Sequence, residues 1–317
     1  LWGLEGFAHG AETMSYFRWR QVPFAQEQFH AGLNLPDGSP DRAFHEVRQL
    51  SADLAALGPL GGAARARAAL VFSYEAAWFL RVQPQGRNFS YIEQAFAMYR
   101  ALRRLGLDVD IAGPESDLSA YSLILVPSMP FVPERLAAEL VRAEGAVLAG
   151  PRTGSRTASH RIPENLAPGP LSDLLGLRVT RAESFRSWSA VPVRYENETF
   201  RFDRWREFVE PAAGTEVLAE TEDGRPALTR KGRAHYLAGT PDEALLQRIV
   251  ARLAREVGLA TLDLPAGLRT RRRGGYRFIF NYGPGPADIS PHFPDTRFVL
   301  GGARLEVGDV AVLREAG

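Results

Sequence analysis

The chain has 317 residues, room for two or three domains at roughly 100–200 residues each, and its 45% hydrophobic content excludes wholesale disorder. With 38 basic against 37 acidic residues the formal net charge is +1, which argues against a nucleic-acid partner or a polybasic membrane anchor. Cysteine is absent, which rules out disulfides, cysteine-ligated zinc and a thiol nucleophile within these residues and fits a reducing cytoplasm. The first residue is Leu1, met in mid-pattern with no signal-peptide features, so the chain is expected to be a piece of a longer polypeptide. No apolar run approaches the length of about 20 residues that spans a bilayer.

Leu1, Trp2, Leu4 and Phe7 are spaced as on the end of a helix, and Gly10 stops it. Thr13 to Trp19 reads as a strand, followed by a polar loop with Pro23, Gly32 and Pro36-Asp37-Gly38. A helix capped near Asp41 then carries Phe44, Val47, Leu50, Leu54 and Leu57 along one face. Helix, strand, loop and helix form the unit of a βα architecture, too small to close a barrel alone.

After Gly58 to Gly62, Ala68 to Tyr74 reads as a buried strand and Ile92 to Leu105 as a helix. Val109 to Ala112, Leu123 to Pro127 and Ala146 to Ala149 are short apolar strands, with a helix from Pro133 to Glu144 between the last two. Strands alternating with helices predict a parallel sheet covered on both faces, here a flavodoxin-like domain over 64–259. Gly154 to Pro170 reads as a surface loop. From Leu262 the pattern turns all-β, with Tyr276 to Asn281, Arg297 to Leu300 and Val310 to Leu313 as strands of a small sandwich over 262–317.

The most specific stretch runs from Phe7-Ala8-His9-Gly10-Ala11-Glu12 through Tyr16-Phe17-Arg18-Trp19-Arg20-Gln21 to Pro23-Phe24-Ala25-Gln26-Glu27-Gln28-Phe29-His30-Ala31-Gly32-Leu33. It resembles the eighth strand of the catalytic (β/α)8 TIM barrel of glycoside hydrolase family 42 β-galactosidases, with the loop that follows. The order of the later parts is similar to the rest of that family, as is the closing Phe278-Ile279-Phe280-Asn281-Tyr282-Gly283-Pro284. The resemblance implies an α/β chain in three parts: 1–60 as the end of the catalytic barrel, 64–259 as a trimerisation domain, and 262–317 as a C-terminal β domain. It implies a retaining hydrolase acting on terminal β-D-galactosides, a cytoplasmic homotrimer with no cofactor, no metal and no nucleic-acid or membrane partner. Retention needs two carboxyl groups about 5–5.5 Å apart. The resemblance places both glutamates upstream of Leu1, so this chain alone is expected to be inactive.

Glu27 and His30 lie in the loop after the strand. Loops at the C-terminal ends of barrel strands build the active-site face, and both residue types hydrogen-bond hydroxyls, though a solvated loop pair has the same look. The resemblance assigns both to galactose binding. Trp19 and Phe24 offer apolar faces for a sugar, with barrel core as the other reading of Trp19. Arg18 and Arg20 point opposite to Trp19 on an alternating strand, where one of them could brace carboxylates upstream of this chain. Glu5 and Glu12 around His9 read as solvent-exposed acids.

The middle domain is similar in architecture to class I glutamine amidotransferases, yet it has no cysteine, and Ser128 lacks the context of an exposed hydroxyl nucleophile. That leaves a scaffold for assembly. Arg269, Arg271, Arg272 and Arg273 before Gly274-Gly275 read as a solvated turn. Tyr74, Trp78, Phe79 and Tyr91 read as core or subunit interface, with loops in reach of a neighbouring active site as in the family's trimer. The alternative to part of a β-galactosidase is a non-catalytic oligomerisation module with a vestigial barrel strand at its front.

Overall fold

A computed structural model describes residues 1–63, 65–294 and 296–315. Residue 64, where the middle domain was expected to start, lies outside the described residues. Two helices come first, α1 (Trp2–Ala8) and α2 (Arg42–Leu57). The βα succession follows with β1 (Ala68–Val71), α3 (Tyr74–Val82), α4 (Tyr91–Arg104), β2 (Val109–Ala112), β3 (Leu123–Val126), α5 (Glu134–Arg142) and β4 (Ala146–Ala149). A short helix α6 (Ser172–Leu175) leads into β5 (Leu177–Ser184), β6 (Ala190–Tyr195), β7 (Glu198–Pro211), β8 (Glu216–Thr221), β9 (Pro226–Lys231), β10 (Ala234–Leu237) and β11 (Gly239–Pro241). After α7 (Glu243–Glu256) come β12 (Leu268–Arg273), β13 (Tyr276–Asn281), β14 (Ala287–Asp288), β15 (Phe298–Leu300), β16 (Arg304–Leu305) and β17 (Val310–Arg314). By contacts these fall into two compact units, Arg65–Leu262 and Leu1–Ala64 with Asp263–Gly317.

Within Arg65–Leu262 the parallel part of the sheet runs β2-β1-β3-β4-β10. Its strands alternate between two cores, as the period of two requires. Ala68 and Leu70 of β1, Leu123 and Leu125 of β3, and Ala146 and Leu148 of β4 join Met98, Leu102, Ile249 and Leu253 of α4 and α7. Ala69, Val71, Ile124, Val126, Val147 and Ala149 join Leu80, Leu136, Leu140 and Leu175 on the other face. This is the doubly covered, flavodoxin-like sheet expected from the sequence. Beyond β10 the same sheet continues antiparallel through β9, β8, β6, β7 and β11, with β5 paired to β7, a region the sequence reading left without elements.

In the unit of Leu1–Ala64 and Asp263–Gly317, β12, β13, β17 and β15 form one antiparallel sheet and β14 pairs β16. The apolar stripe of α2 is not left bare: Leu50, Leu54 and Leu57 pack with Leu4 and Ala8 against Tyr276, Phe278, Phe280 and Val312. Tyr276 donates to the Leu57 carbonyl at 2.8 Å, and Arg273 donates to the carbonyls of Gly61 at 2.8 Å and Ala11 at 2.9 Å.

Three local expectations change. Thr13 to Trp19 is not a strand, because no strand among the described residues lies beside it and its hydrogen bonds go to the segment at Leu33 and Asn34. The apolar run from Ala68 does not reach Tyr74 as a strand, because Ser73 caps α3 by accepting from Ala76 N at 3.2 Å. The arginines of 269–273 are β12 itself rather than a solvated turn, with Arg271 and Arg273 buried.

Candidate functional site

The loop from Arg18 to Asn34 is drawn closed at its base by backbone hydrogen bonds: Leu33 N to Arg18 O at 2.8 Å, Asn34 N to Trp19 O at 2.9 Å and Gln21 N to Asn34 O at 2.9 Å. The buried Asn34 adds its side-chain amide to the Trp19 carbonyl at 2.8 Å. Gly32 permits this approach. A Cβ there would lie 2.7 Å from Gln21 N and 2.8 Å from the Arg20 carbonyl carbon, both backbone atoms that cannot step aside. Such a loop, closed at its neck, has the outline of an Ω-loop.

Its tip carries the predicted sugar binders. Glu27 accepts from Arg18 Nη2 at 2.9 Å, and the His30 amide donates to the Glu27 carbonyl at 3.0 Å. The Arg18 guanidinium lies over the Phe17 ring, 4.8 Å from its centre, and Phe17 meets the His30 ring edge-on at 6.2 Å. The structure thus gathers Glu27 and His30 around Arg18 and Phe17. Trp19 turns instead to Phe44 of α2, edge to face at 6.2 Å, and remains 68% exposed. Phe24, 65% exposed, makes no ring contact among the described residues. The pairing of Arg18 with Glu27 was not legible in the sequence, which offered an arginine only as a brace for upstream carboxylates, because the pairing depends on how the loop closes.

Within Arg65–Leu262 the loops after β1 and β3 flank a cavity of about 580 Å³ lined by Ser73, Glu75, Trp78, Phe79, Phe131 and His160. Phe79 stacks on His160 at 5.0 Å, while Tyr74 and Trp78 stand exposed. Tyr91, by contrast, is buried core. Its hydroxyl accepts from Ser73 N at 2.9 Å, and burial pushes its phenol up to about 12. Ser128, at a φ of +24° after β3, has a fully buried hydroxyl and so offers no accessible nucleophile. Deeper in this unit the buried Glu207 accepts from Arg152 N at 3.0 Å, Trp205 Nε1 at 3.2 Å and Tyr236 OH at 2.5 Å. Burial pushes its carboxyl above the usual range, against the pull of those donors. The Arg152 guanidinium lies over the rings of Phe89 and Trp205 at 4.7 and 4.8 Å, and burial lowers it to about 10. No cluster of potential metal ligands occurs among the described residues.

Residues 66–260 match the model of the β-galactosidase trimerisation domain, and residues 1–57 match that of β-galactosidase. The chain belongs to the family 42 β-galactosidases. Its relatives include a β-galactosidase of Thermus thermophilus, 48% identical over 316 residues, and BgaA of Thermus sp, 49% identical over 317 residues. Both alignments take in 100% of this chain and 48% of the relative. Among solved structures, the β-galactosidase of the psychrophilic Marinomonas ef1 superimposes with a TM-score of 0.94 at 37% identity, over 99% of this chain and 49% of that one. The β-galactosidase of the Antarctic haloarchaeon Halorubrum lacusprofundi gives a TM-score of 0.90 at 32% identity, over 99% and 49%. The chain spans about half the length of the curated relatives it matches. Its flavodoxin-like part is therefore the family's trimerisation domain, and Glu27 and His30 fall inside the segment matched to β-galactosidase itself.

Proposed function

We propose that the chain is the C-terminal portion of a retaining β-galactosidase that hydrolyses terminal non-reducing β-D-galactose residues. In this reading 1–60 closes the catalytic barrel, 64–259 builds the homotrimer and 262–317 is the C-terminal β domain. The observation that carries it is the closed loop Arg18–Asn34, which presents Glu27 beside His30 inside the segment matched to β-galactosidase. A carboxylate accepts from two neighbouring sugar hydroxyls, and an imidazole donates or accepts beside it. Trp19 and Phe24 supply exposed ring faces for the C–H surface of the pyranose. Both catalytic glutamates belong to the rest of the enzyme, so these residues bind the sugar without cleaving it. The exposed Tyr74, Trp78 and Val82 on α3 are the kind of apolar surface a second copy covers, which supports the homotrimer. Cytoplasmic residence suits a sequence without cysteine.

The test is Glu27→Ala in the full-length polypeptide. Loss of a hydrogen bond to the reacting sugar lowers kcat/KM by about tenfold or more. Unchanged kinetics removes Glu27 from the site.

A further inference from the structure

We propose that Arg18 is the positioning residue of the sugar subsite, acting through the Glu27 carboxylate that it holds directly. The proposal rests on the sugar-binding reading of Glu27. Its basis is one continuous set of contacts: Glu27 Oε2 on Arg18 Nη2 at 2.9 Å, the Arg18 guanidinium 4.8 Å from the centre of Phe17, and His30 edge-on to Phe17 at 6.2 Å.

The two partners differ in exposure. The Arg18 side chain is 21% exposed and that of Glu27 51%, so a largely buried cation holds a carboxylate that faces outward. The arginine is fixed at its root as well, since its carbonyl takes the Leu33 amide at the neck of the loop. An ion pair with one partner facing solvent adds little to stability. What it supplies here is order: one carboxylate oxygen is held, the other is left for a hydroxyl, and the side chain is not free to rotate before the sugar arrives. Arg18 Nη1 is also buried, with no hydrogen-bond partner among the described residues. A desolvated donor without an acceptor is costly, so its retention fits a fork meant for a second oxygen acceptor in the assembled site. Arginine suits the place because its planar group lies on an aromatic ring and binds a carboxylate at once, which a lysine ammonium cannot reproduce.

The experiment measures kcat/KM on a chromogenic β-galactoside for the full-length polypeptide carrying Arg18→Gln, Arg18→Lys, Glu27→Gln, or Arg18→Gln with Glu27→Gln. The expected result is a loss of about tenfold or more for Arg18→Gln, a smaller loss for Arg18→Lys, and a double variant within about twofold of Glu27→Gln alone. Losses that multiply in the double variant overturn the proposal, because Arg18 then acts independently of Glu27. Full activity of Arg18→Gln beside an impaired Glu27→Gln overturns it while leaving the sugar-binding reading standing. A silent Glu27→Gln sinks both. If the glutamine variant fails to fold, Arg18→Lys combined with Glu27→Gln makes the same comparison.

Discussion

Glu27 depends on a partner nine residues earlier in the chain, and that partner depends on a glycine. The close approach of Gly32 to Gln21 N and Arg20 holds the neck of the loop shut, which fixes the carbonyl of Arg18. Gly32→Ala is expected to part the neck. Hydrogen exchange on this chain should then show the Leu33 and Asn34 amides losing protection, while the β1 and β3 amides keep theirs; unchanged exchange at the neck counts against the steric account. A sequence displays Gly32 as one loop glycine among others, since a close approach leaves no periodic trace. Glu27 and His30 were visible as residue types in a matched motif, but the ion pair to Arg18 needed the loop's three-dimensional course.

Buried polar residues set a different kind of constraint. Glu207→Leu strands the Tyr236 hydroxyl, the Trp205 indole N–H and the Arg152 amide, and should cost on the order of 3–5 kcal/mol in denaturant unfolding. His235 in β10 is buried, and burial pushes its imidazole below its ordinary value. A folded state that resists protonation loses stability as pH falls, beginning near the unfolded value of about 6.5 and continuing down to the folded one. Arg230 opposes the charged form further and Glu256 favours it. His235→Leu should therefore flatten the fall in melting temperature between pH 7 and pH 5. An unaltered slope assigns that fall to other groups.

At the scale of elements, the parallel half of the sheet was legible because each strand is a short, fully apolar run flanked by turn residues and helical spacing. Ala68, Leu123 and Ala146 begin strands that the structure also begins there. The antiparallel half was missed although Val191, Val193 and Tyr195 alternate, as do Phe200 and Phe202, because exposed arginines and glutamates between them dilute the apolar count. Helix α3 was hidden for the opposite reason: its cap, Ser73, sits inside one long apolar stretch. Capping also gives a clean prediction for α7. Asp242 accepts from Leu245 N at 2.8 Å and from Arg201 N at 3.1 Å, so Asp242→Ala should lower stability by about 1 kcal/mol or more in urea unfolding. A change near zero means that Asp242 is satisfied equally well by water.

For the whole molecule, the family assignment divides the chain: one unit holds the segment matched to β-galactosidase, with the loop proposed to bind sugar, and the other is matched to the trimerisation domain. If the chain forms the proposed homotrimer and α3 lies in the subunit contact, light scattering should place the unsubstituted chain near three times 34.9 kDa and the Trp78→Glu variant at smaller species. A trimer that survives the charge moves the contact elsewhere on the domain. Whether these residues hold the galactose while the cleaving carboxylates lie in the rest of the enzyme is decided by turnover of a chromogenic β-galactoside. The purified chain, its mass verified on the same sample, is measured beside the full-length polypeptide. Hydrolysis by the full-length polypeptide and none by the chain is the expected result. Turnover by the chain at its own mass would require a working carboxylate pair within these 317 residues and would contradict the assignment of Glu27 to binding alone.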